Sequence, residues 1–292
     1  MIRDYIKQLR VYQWTKSGFI FLPAVFSDYM PLMARDPFGA QSLAIVLKLL
    51  SAFLAYSFLA SAVYVINDFK DRELDRLDAR KKHRPIASGR IGTAGAITAI
   101  IVLVSLSACL AFTLPFTFAA VLGLYLAQNI FYTYLGKRIL LVDVFMIALG
   151  FVFRVIAGAA AIDVPPSPWL LSCTLFLSLF LGFFKRHYEL QTAPPEKFIG
   201  GQYTEQVLRS FIGITASLSV MNYAIYTLEG KHAEHQLYWT IPLVVLGIFR
   251  YYTLMDMPQL EDGNPSDVLL SDPFLIAVIV AWVGLAAGLI LA

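Results

Sequence analysis

The chain has 292 residues, 58% of them hydrophobic and 15% charged, with a net charge of +3 and a mean hydropathy of +0.67. Soluble domains are about half apolar and about a quarter charged. No soluble domain of ordinary size fits this composition, and nothing in it marks a nucleic-acid partner.

Apolar runs recur along the whole chain. They predict an all-α polytopic membrane bundle of about nine transmembrane helices, each about 20 residues long, forming a single domain over residues 1–292. The N-terminal stretch Met1–Arg10 is charged and amphipathic and lacks the pattern of a cleaved signal peptide. The spans are expected near 17–34, 43–66, 92–112, 115–134, 139–162, 167–186, 207–228, 237–255 and 273–291. Pro23, Asp28 and Pro31 interrupt the first, which is expected to tilt or partly re-enter. Cys109 and Cys173 fall inside apolar runs and are expected to be small buried side chains.

The connections sort by charge. One side takes Arg3, Lys7, Arg10 and Lys16, the loop from Lys70 to Arg90, Lys137, Arg138, the loop from Lys185 to Arg209, and Arg250; the other takes little beyond Arg35 and Lys231. The positive-inside rule places the first group in the cytoplasm, at the inner face of a cell membrane. An odd number of spans then leaves the C-terminus outside.

At the cytoplasmic end of the second span, the sequence Asn67-Asp68-Phe69-Lys70-Asp71-Arg72-Glu73-Leu74-Asp75 crowds carboxylates onto the membrane boundary. Asp68, Asp71 and Asp75 fall within roughly 60° of arc on a helix, and Asp78 extends the face. Grouped like charges need a cation. Mg²⁺ takes oxygen ligands and commonly combines one or two carboxylates with substrate phosphates, so Mg²⁺ and a phosphorylated substrate are the expected occupants. Alternating Lys70, Asp71, Arg72 and Glu73 also allow simple surface pairing, but charges at a membrane edge are more often functional. Downstream, Arg84-Pro85-Ile86-Ala87-Ser88-Gly89-Arg90 contains the turn formers Pro and Gly, which can aim Arg84 back at the acids for bidentate phosphate binding.

Asp143 and Arg154 lie eleven positions apart and share a helix face. Their rise separation of about 16 Å forbids a direct pair. Asp143 is expected to join a polar pocket, and Arg154 either to act in that pocket or to bond backbone carbonyls inside the bundle.

The segment Asn67-Asp68-x-x-Asp71-x-x-x-Asp75, followed by Arg84-Pro85-Ile86-Ala87-Ser88-Gly89, resembles the first signature of the UbiA superfamily of intramembrane transferases. Leu9-Arg10-x-x-Gln13-Trp14-x-Lys16 and the pair Tyr132 and Lys137 are similar to that superfamily as well. The resemblance implies a helical bundle around a central cavity and transfer of a prenyl group from a Mg²⁺-bound diphosphate held by two aspartate motifs. The second motif differs here. It reads Gly182-Phe183-Phe184-Lys185-Arg186-His187-Tyr188-Glu189-Leu190-Gln191, with two cations and one carboxylate among the residues that matter. The Lys-Arg-x-x-Glu-Leu-Gln form resembles the polyprenyl-phosphate phosphoribosyltransferase branch, whose actinobacterial decaprenyl-phosphate members supply cell-wall arabinogalactan synthesis. Asp143, Arg154-Val155-Ile156-Ala157-Gly158 and the acidic loop Glu261–Asp272 agree with that branch.

That resemblance implies Mg²⁺ as cofactor, with phosphoribosyl diphosphate, a polyprenyl phosphate and membrane lipids as partners. Asn67, Asp71 and Asp75 become the metal ligands; Asp68, Asp71 and Asp75 the catalytic carboxylates; Lys16, Arg84, Lys137, Asp143, Lys185, Arg186 and Glu189 the substrate-binding set. Two anionic substrates call for more cations than carboxylates at the second motif. Glu189 is expected to orient Lys185 or bond ribose hydroxyls, and Asp68 to bind ribose or support the ligands. Two other functions compete: a prenyltransferase using an allylic diphosphate, and a non-enzymatic lipid carrier or transporter. A homo-oligomer is compatible with all three.

Overall fold

The computed structural model describes residues 2–78, 81–192, 203–230, 233–254 and 271–291. Every regular element among them is helical. In chain order these are α1 (Ile2–Leu9), a 3-10 segment (Val11–Phe21), α2 (Leu22–Val25), α3 (Tyr29–Arg35), α4 (Ala40–Lys70), α5 (Arg72–Leu77), α6 (Thr93–Ala111), α7 (Phe116–Tyr134), α8 (Val142–Ala161), α9 (Pro168–Thr192), α10 (Glu205–Glu229), α11 (Ile241–Thr253) and α12 (Pro273–Leu291).

Seven of these helices are long and apolar enough to cross a bilayer, and a bent pair raises the number to eight. The expected count of nine is not reached among the described residues, for two physical reasons. The first expected span is broken: its two parts, Arg3–Val25 and Tyr29–Arg35, meet at 88°. Pro23 and Pro31 lack the N–H that would carry a continuous hydrogen-bond ladder through this region. The expected span at 237–255 contains α11, a helix of 13 residues. That rises only about 20 Å, less than the hydrocarbon thickness of about 30 Å. The chain is a multi-pass membrane protein on the strength of the remaining spans.

The residues group into two compact units. The first comprises Met1–Gly136 and Gly150–Pro166; the second comprises Lys137–Leu149 and Ser167–Ala292. In the first, α4 is central. It runs 31 residues without proline or glycine, and its buried Ala52, Ala55 and Tyr56 pack with Ile20, Phe118 and Leu122. A side chain at Gly158 of α8 would place Cβ 2.0 Å from the carbonyl oxygen of Ile20, so only glycine admits this approach of the 3-10 segment to α8. In the second unit, Val144 of α8, Phe180 and Phe184 of α9, Leu208 and Ile212 of α10 and Tyr251 of α11 form one apolar cluster.

The two cysteines depart from expectation. Cys109 is exposed, on a surface that faces lipid in a spanning helix, and half-buried Cys173 accepts a hydrogen bond from Asn222 Nδ2 at 2.8 Å. Arg154 is the buried charge whose role the spacing left open. Its Nη1 donates to Gly150 O at 2.7 Å, and its guanidinium carbon lies 5.0, 5.6 and 5.2 Å from the ring centres of Tyr56, Tyr125 and Phe151. Backbone bonding and a cage of aromatic faces therefore hold it within the first unit.

Candidate active site

The first cluster grows from the end of α4. Its apolar run stops at Asn67, and helical hydrogen bonds continue past it: Asp71 N donates to Asn67 O at 2.9 Å, and Asp75 N to Asp71 O at 2.8 Å. Asn67, Asp71 and Asp75 therefore succeed one another at four-residue steps along one helical face, about 5–6 Å apart at each step. The chain returns through a short turn at Lys81–His83, which Asp78 caps by accepting from Lys81 N at 3.2 Å. Asp78 thus serves the turn instead of extending the acidic face.

The turn after it explains how Arg84 is aimed. Ile86, Ala87 and Ile91 are buried, and the two isoleucines pack against Ala62 and Val65 of α4. Ile91 N donates to Pro85 O at 3.0 Å, and Gly89 adopts φ +78, a conformation that glycine takes without strain. Arg76 Nε of α5 donates to Ala87 O at 2.9 Å. With the apolar side anchored, Arg84 Nη1 reaches Asp68 Oδ1 at 3.0 Å and Asp75 Oδ2 at 2.8 Å. The expectation that this turn points Arg84 at the acids is met.

Two further donors converge on Asp68. Arg10 Nη2 contacts both carboxylate oxygens, at 2.6 and 2.7 Å, and Gln8 Nε2 donates to Oδ2 at 2.8 Å. The counter-ions of this carboxylate are thus supplied by the chain itself. Asp68 is buried and fully engaged, as a carboxylate supporting its neighbours would be. Arg10 sits at φ 50, the left-handed region, which costs a non-glycine residue about 1–2 kcal/mol. The fold holds it there by a short chain of bonds: Trp14 Nε1 donates to Ser61 Oγ at 3.0 Å, and Ser61 Oγ donates to Leu9 O at 2.8 Å. Burial pushes the Asp75 carboxyl above its ordinary value, and the neighbouring Arg84 offsets part of that rise. Thr133 Oγ1 of α7 makes a short hydrogen bond to Asn67 Oδ1. Lys16 lies in the 3-10 segment Val11–Phe21.

The second cluster lies in the second unit. A Cβ at Gly182 would sit 2.7 Å from Val144 Cγ1, so the glycine lets α9 close on α8. One turn later, on the same face, Arg186 Nε meets Asp143 Oδ2 at 2.7 Å. Arg186 Nη1 also makes a short contact with Glu189 Oε2, and Lys185 Nζ stands 4.0 Å from Glu189 Oε1. Tyr203 Oη donates to Asp143 Oδ1 at 3.0 Å and accepts from Leu141 N at 2.9 Å. Burial first, and Asp143 second, push the Tyr203 phenol up to about 12, so it stays a donor at neutral pH. The expected surplus of cations is balanced here, because Asp143 and Glu189 match Lys185 and Arg186. Of the two cations, Arg186 is the buried one and Lys185 the more exposed. Lys137 stands in the turn Gly136–Arg138, just before α8.

The metal expectation can be tested on donor chemistry. Among the described residues no group of three or more His, Cys, Asp or Glu side chains is placed to hold a metal ion. Asn67, Asp71 and Asp75 supply one amide and two carboxylates in helical succession. Such an incomplete set of hard oxygen donors, completed by phosphate and water, suits Mg²⁺.

A family model for the UbiA prenyltransferase family matches residues 21–267. The chain belongs to the UbiA prenyltransferase family. It is therefore a transferase enzyme, and this UbiA-family chain is not a mere carrier. A decaprenyl-phosphate phosphoribosyltransferase of Corynebacterium glutamicum is 30% identical over 95% of this chain and 84% of that relative. An uncharacterized protein, y4nM, of Sinorhizobium fredii is 35% identical over 66% of this chain, which spans only 35% of that protein's length. A UbiA homolog from Archaeoglobus fulgidus, solved bound to GPP and Mg2+, superposes with a TM-score of 0.69 at 18% identity, over 99% of this chain and all of that one. At that identity the likeness speaks for the UbiA fold alone.

Sequence reasoning assigned no role in this UbiA-family site to Gln8, Arg10, Thr133 or Tyr203. Arg10 carried a signal, because it belongs to the Leu9–Lys16 motif already singled out, and a cation beside an aspartate-rich segment is a natural partner. Thr133 and Tyr203 carried none; a threonine in an apolar helix and a tyrosine in a polar loop are common. The acidic segment Glu261–Asp272 lies outside the described residues except for Ser271 and Asp272; Asp272 bonds Arg250 Nη2 at 2.6 Å and caps α12 by accepting from Leu275 N at 2.7 Å.

Proposed function

We propose that this enzyme transfers 5-phosphoribose from phosphoribosyl diphosphate to a polyprenyl phosphate of the decaprenyl-phosphate type and releases diphosphate. We take the whole chain, residues 1–292, as one UbiA-like domain working at the cytoplasmic face of the membrane. The observation that carries the reading is the Arg186–Asp143–Glu189 cluster, built on the segment for which the resemblance to the family implies a second aspartate motif. The full-length relatedness to a decaprenyl-phosphate phosphoribosyltransferase supports the same substrates.

In this reading Asn67, Asp71 and Asp75 hold Mg²⁺, which supplies positive charge to the departing diphosphate. The bond from the anomeric carbon of ribose to the diphosphate oxygen breaks, and a bond from that carbon to an oxygen of the lipid phosphate forms. Glycosyl transfers of this type pass through an oxocarbenium-like transition state. Asp68 keeps Arg10 in place and, before substrate arrives, holds Arg84 as well. Arg84, Lys16, Lys137 and Lys185 bind phosphate groups of the two substrates. Asp143 and Glu189 fix Arg186 and limit how far it can move. The lipid phosphate is anionic at neutral pH, so the chain has no need of a strong general base; its task is to relieve repulsion between two anions.

The test uses purified full-length protein with Mg²⁺, a short polyprenyl phosphate and radiolabelled phosphoribosyl diphosphate. Label is expected in the lipid fraction, together with one equivalent of diphosphate. Absence of label, alongside turnover of a prenyl diphosphate with an aromatic acceptor, would replace this reading with ordinary prenyl transfer, the activity after which the family is named.

A further inference from the structure

The two guanidiniums on Asp68 are held very differently. Arg10 is 19% exposed at its side chain, touches both oxygens of Asp68, lies over the ring of Tyr64 at 5.0 Å, and follows a backbone carbonyl fixed by Ser61. Arg84 is 31% exposed and spans two carboxylates with one nitrogen, Nη1. Its partners Asp68 and Asp75 are both nearly buried, at 5% and 6%.

One of those partners, Asp75, is also a proposed metal ligand. A guanidinium and a divalent cation on the same carboxylate repel each other, and Arg84 has in a diphosphate a better-matched bidentate partner. Gln8 Oε1, inside the same cluster, is buried and has no partner among the described residues. The cluster therefore holds an acceptor that an incoming water or sugar hydroxyl would satisfy.

We propose that Arg84 is an exchangeable counter-ion of Asp68 and Asp75, released when a divalent cation and a diphosphate arrive together, whereas Arg10 stays on Asp68 throughout. This rests on the reading of Asn67, Asp71 and Asp75 as metal ligands. Its consequence is coupling. The divalent cation alone must displace Arg84 from Asp75 with nothing to receive it, and a diphosphate alone must pull Arg84 away and leave the Asp75 carboxylate uncompensated, although Arg10 still serves Asp68. Each ligand strengthens the other, as linkage requires of a shared group. The device also gates specificity, since a phosphate monoester has no second phosphate to bridge the guanidinium and the metal.

The experiment measures Mn²⁺ binding by electron paramagnetic resonance on the full-length protein in nanodiscs, with and without inorganic diphosphate. Free Mn²⁺ is corrected for the solution Mn²⁺–diphosphate complex. Wild type is expected to bind Mn²⁺ alone weakly and to gain about tenfold or more with diphosphate, the equivalent of one charge-assisted hydrogen bond. Arg84→Gln is expected to bind Mn²⁺ alone about tenfold more tightly than wild type and to gain little from diphosphate. Lys81→Gln removes a nearby positive charge without breaking the Arg84 bonds; it should keep the wild-type gain, which separates exchange from simple charge removal. Equal Mn²⁺ affinity in wild type and Arg84→Gln, or an unchanged diphosphate gain in that variant, overturns the exchange and leaves the metal reading intact. Mn²⁺ binding indifferent to Asp75→Asn under all conditions overturns the metal reading itself and the exchange with it.

Discussion

Tyr203→Phe removes one oxygen and tests the architecture of the second cluster. Tyr203 Oη donates to Asp143, which is buried, and accepts from the N–H of Leu141. Leu141 adopts φ 69, so its N–H is aimed by a strained backbone at this hydroxyl. Losing a hydrogen bond to a charged group costs about 1.5–3 kcal/mol, and leaving the Leu141 N–H without an acceptor adds about 1–3 kcal/mol. The ring itself stays packed against Phe183, whose centroid is 6.4 Å away, so the apolar contribution is retained. The expected total of about 2.5–6 kcal/mol corresponds to roughly 4–10 °C in the melting temperature of a chain this size, at about 2.1 cal/mol/K of unfolding entropy per residue. Thermal unfolding in detergent, at a fixed scan rate because such unfolding is commonly irreversible, reads this out. pH gives a second handle. The folded-state pKa of Tyr203 is raised from 10.0 to about 12, so the unfolded chain gives up this proton first. Stability from the phenol is complete below pH 10.0 and falls as pH climbs towards about 12, a loss that Tyr203→Phe lacks. A shift of under about 1 °C at neutral pH would refute the argument that this hydroxyl holds Leu141 and Asp143.

Asp71→Asn and Asp75→Asn should each lower ribosyl transfer by about 100-fold or more while far-ultraviolet circular dichroism stays native; near-normal rates would remove them from the metal. The Asp75 carboxyl is raised above its ordinary 3.8, so between those two values the folded protein holds more protons than the unfolded one. Stability from this group therefore falls as pH rises through that window, while diphosphate-dependent Mn²⁺ binding rises through it. A binding profile set by the ordinary carboxylate value would contradict this. Lys185→Ala should raise KM for one anionic substrate about tenfold with little change in kcat; unchanged constants for both substrates would take Lys185 out of the site. Gly158→Ala should destabilise the protein by about 1–3 kcal/mol or more, because its Cβ meets Ile20 O at 2.0 Å; an unchanged melting temperature would show that the 3-10 segment can retreat.

The helical class and most spans were legible because hydropathy reports directly on the bilayer. The break in the first span was legible too, from Pro23 and Pro31. The shortness of α11 was not: residues 237–255 are apolar enough, but the helix proper starts only after Leu237–Thr240 has wound as a 3-10 turn entered at Gln236 with φ 54. At the site, the Asn67–Asp75 face and the aim of Arg84 could be derived from spacing and turn chemistry. What spacing alone could not give was the pairing. Asp68 belongs with Arg10 through |i−j| of 58, and Asp143 with Arg186 through 43. Such partners are chosen by which helices pack, a property of the folded chain that local pattern does not encode. The apparent cation surplus at Lys185 and Arg186 vanished for the same reason.

Arg154 has a consequence for biogenesis. An arginine near the centre of a nascent span costs about 2.5–3.5 kcal/mol on insertion scales, which leucine, isoleucine, phenylalanine and valine each offset by only about 0.3–0.6 kcal/mol. The rings that receive its guanidinium belong to α4 and α7, and to Phe151 one turn away on α8 itself. Both partner helices precede α8 in the chain, so they are synthesised and inserted before α8 leaves the ribosome. Translation order thus supplies the aromatic shelter in advance, and a circular permutant that delivered α8 ahead of α4 and α7 would present this arginine to bare lipid.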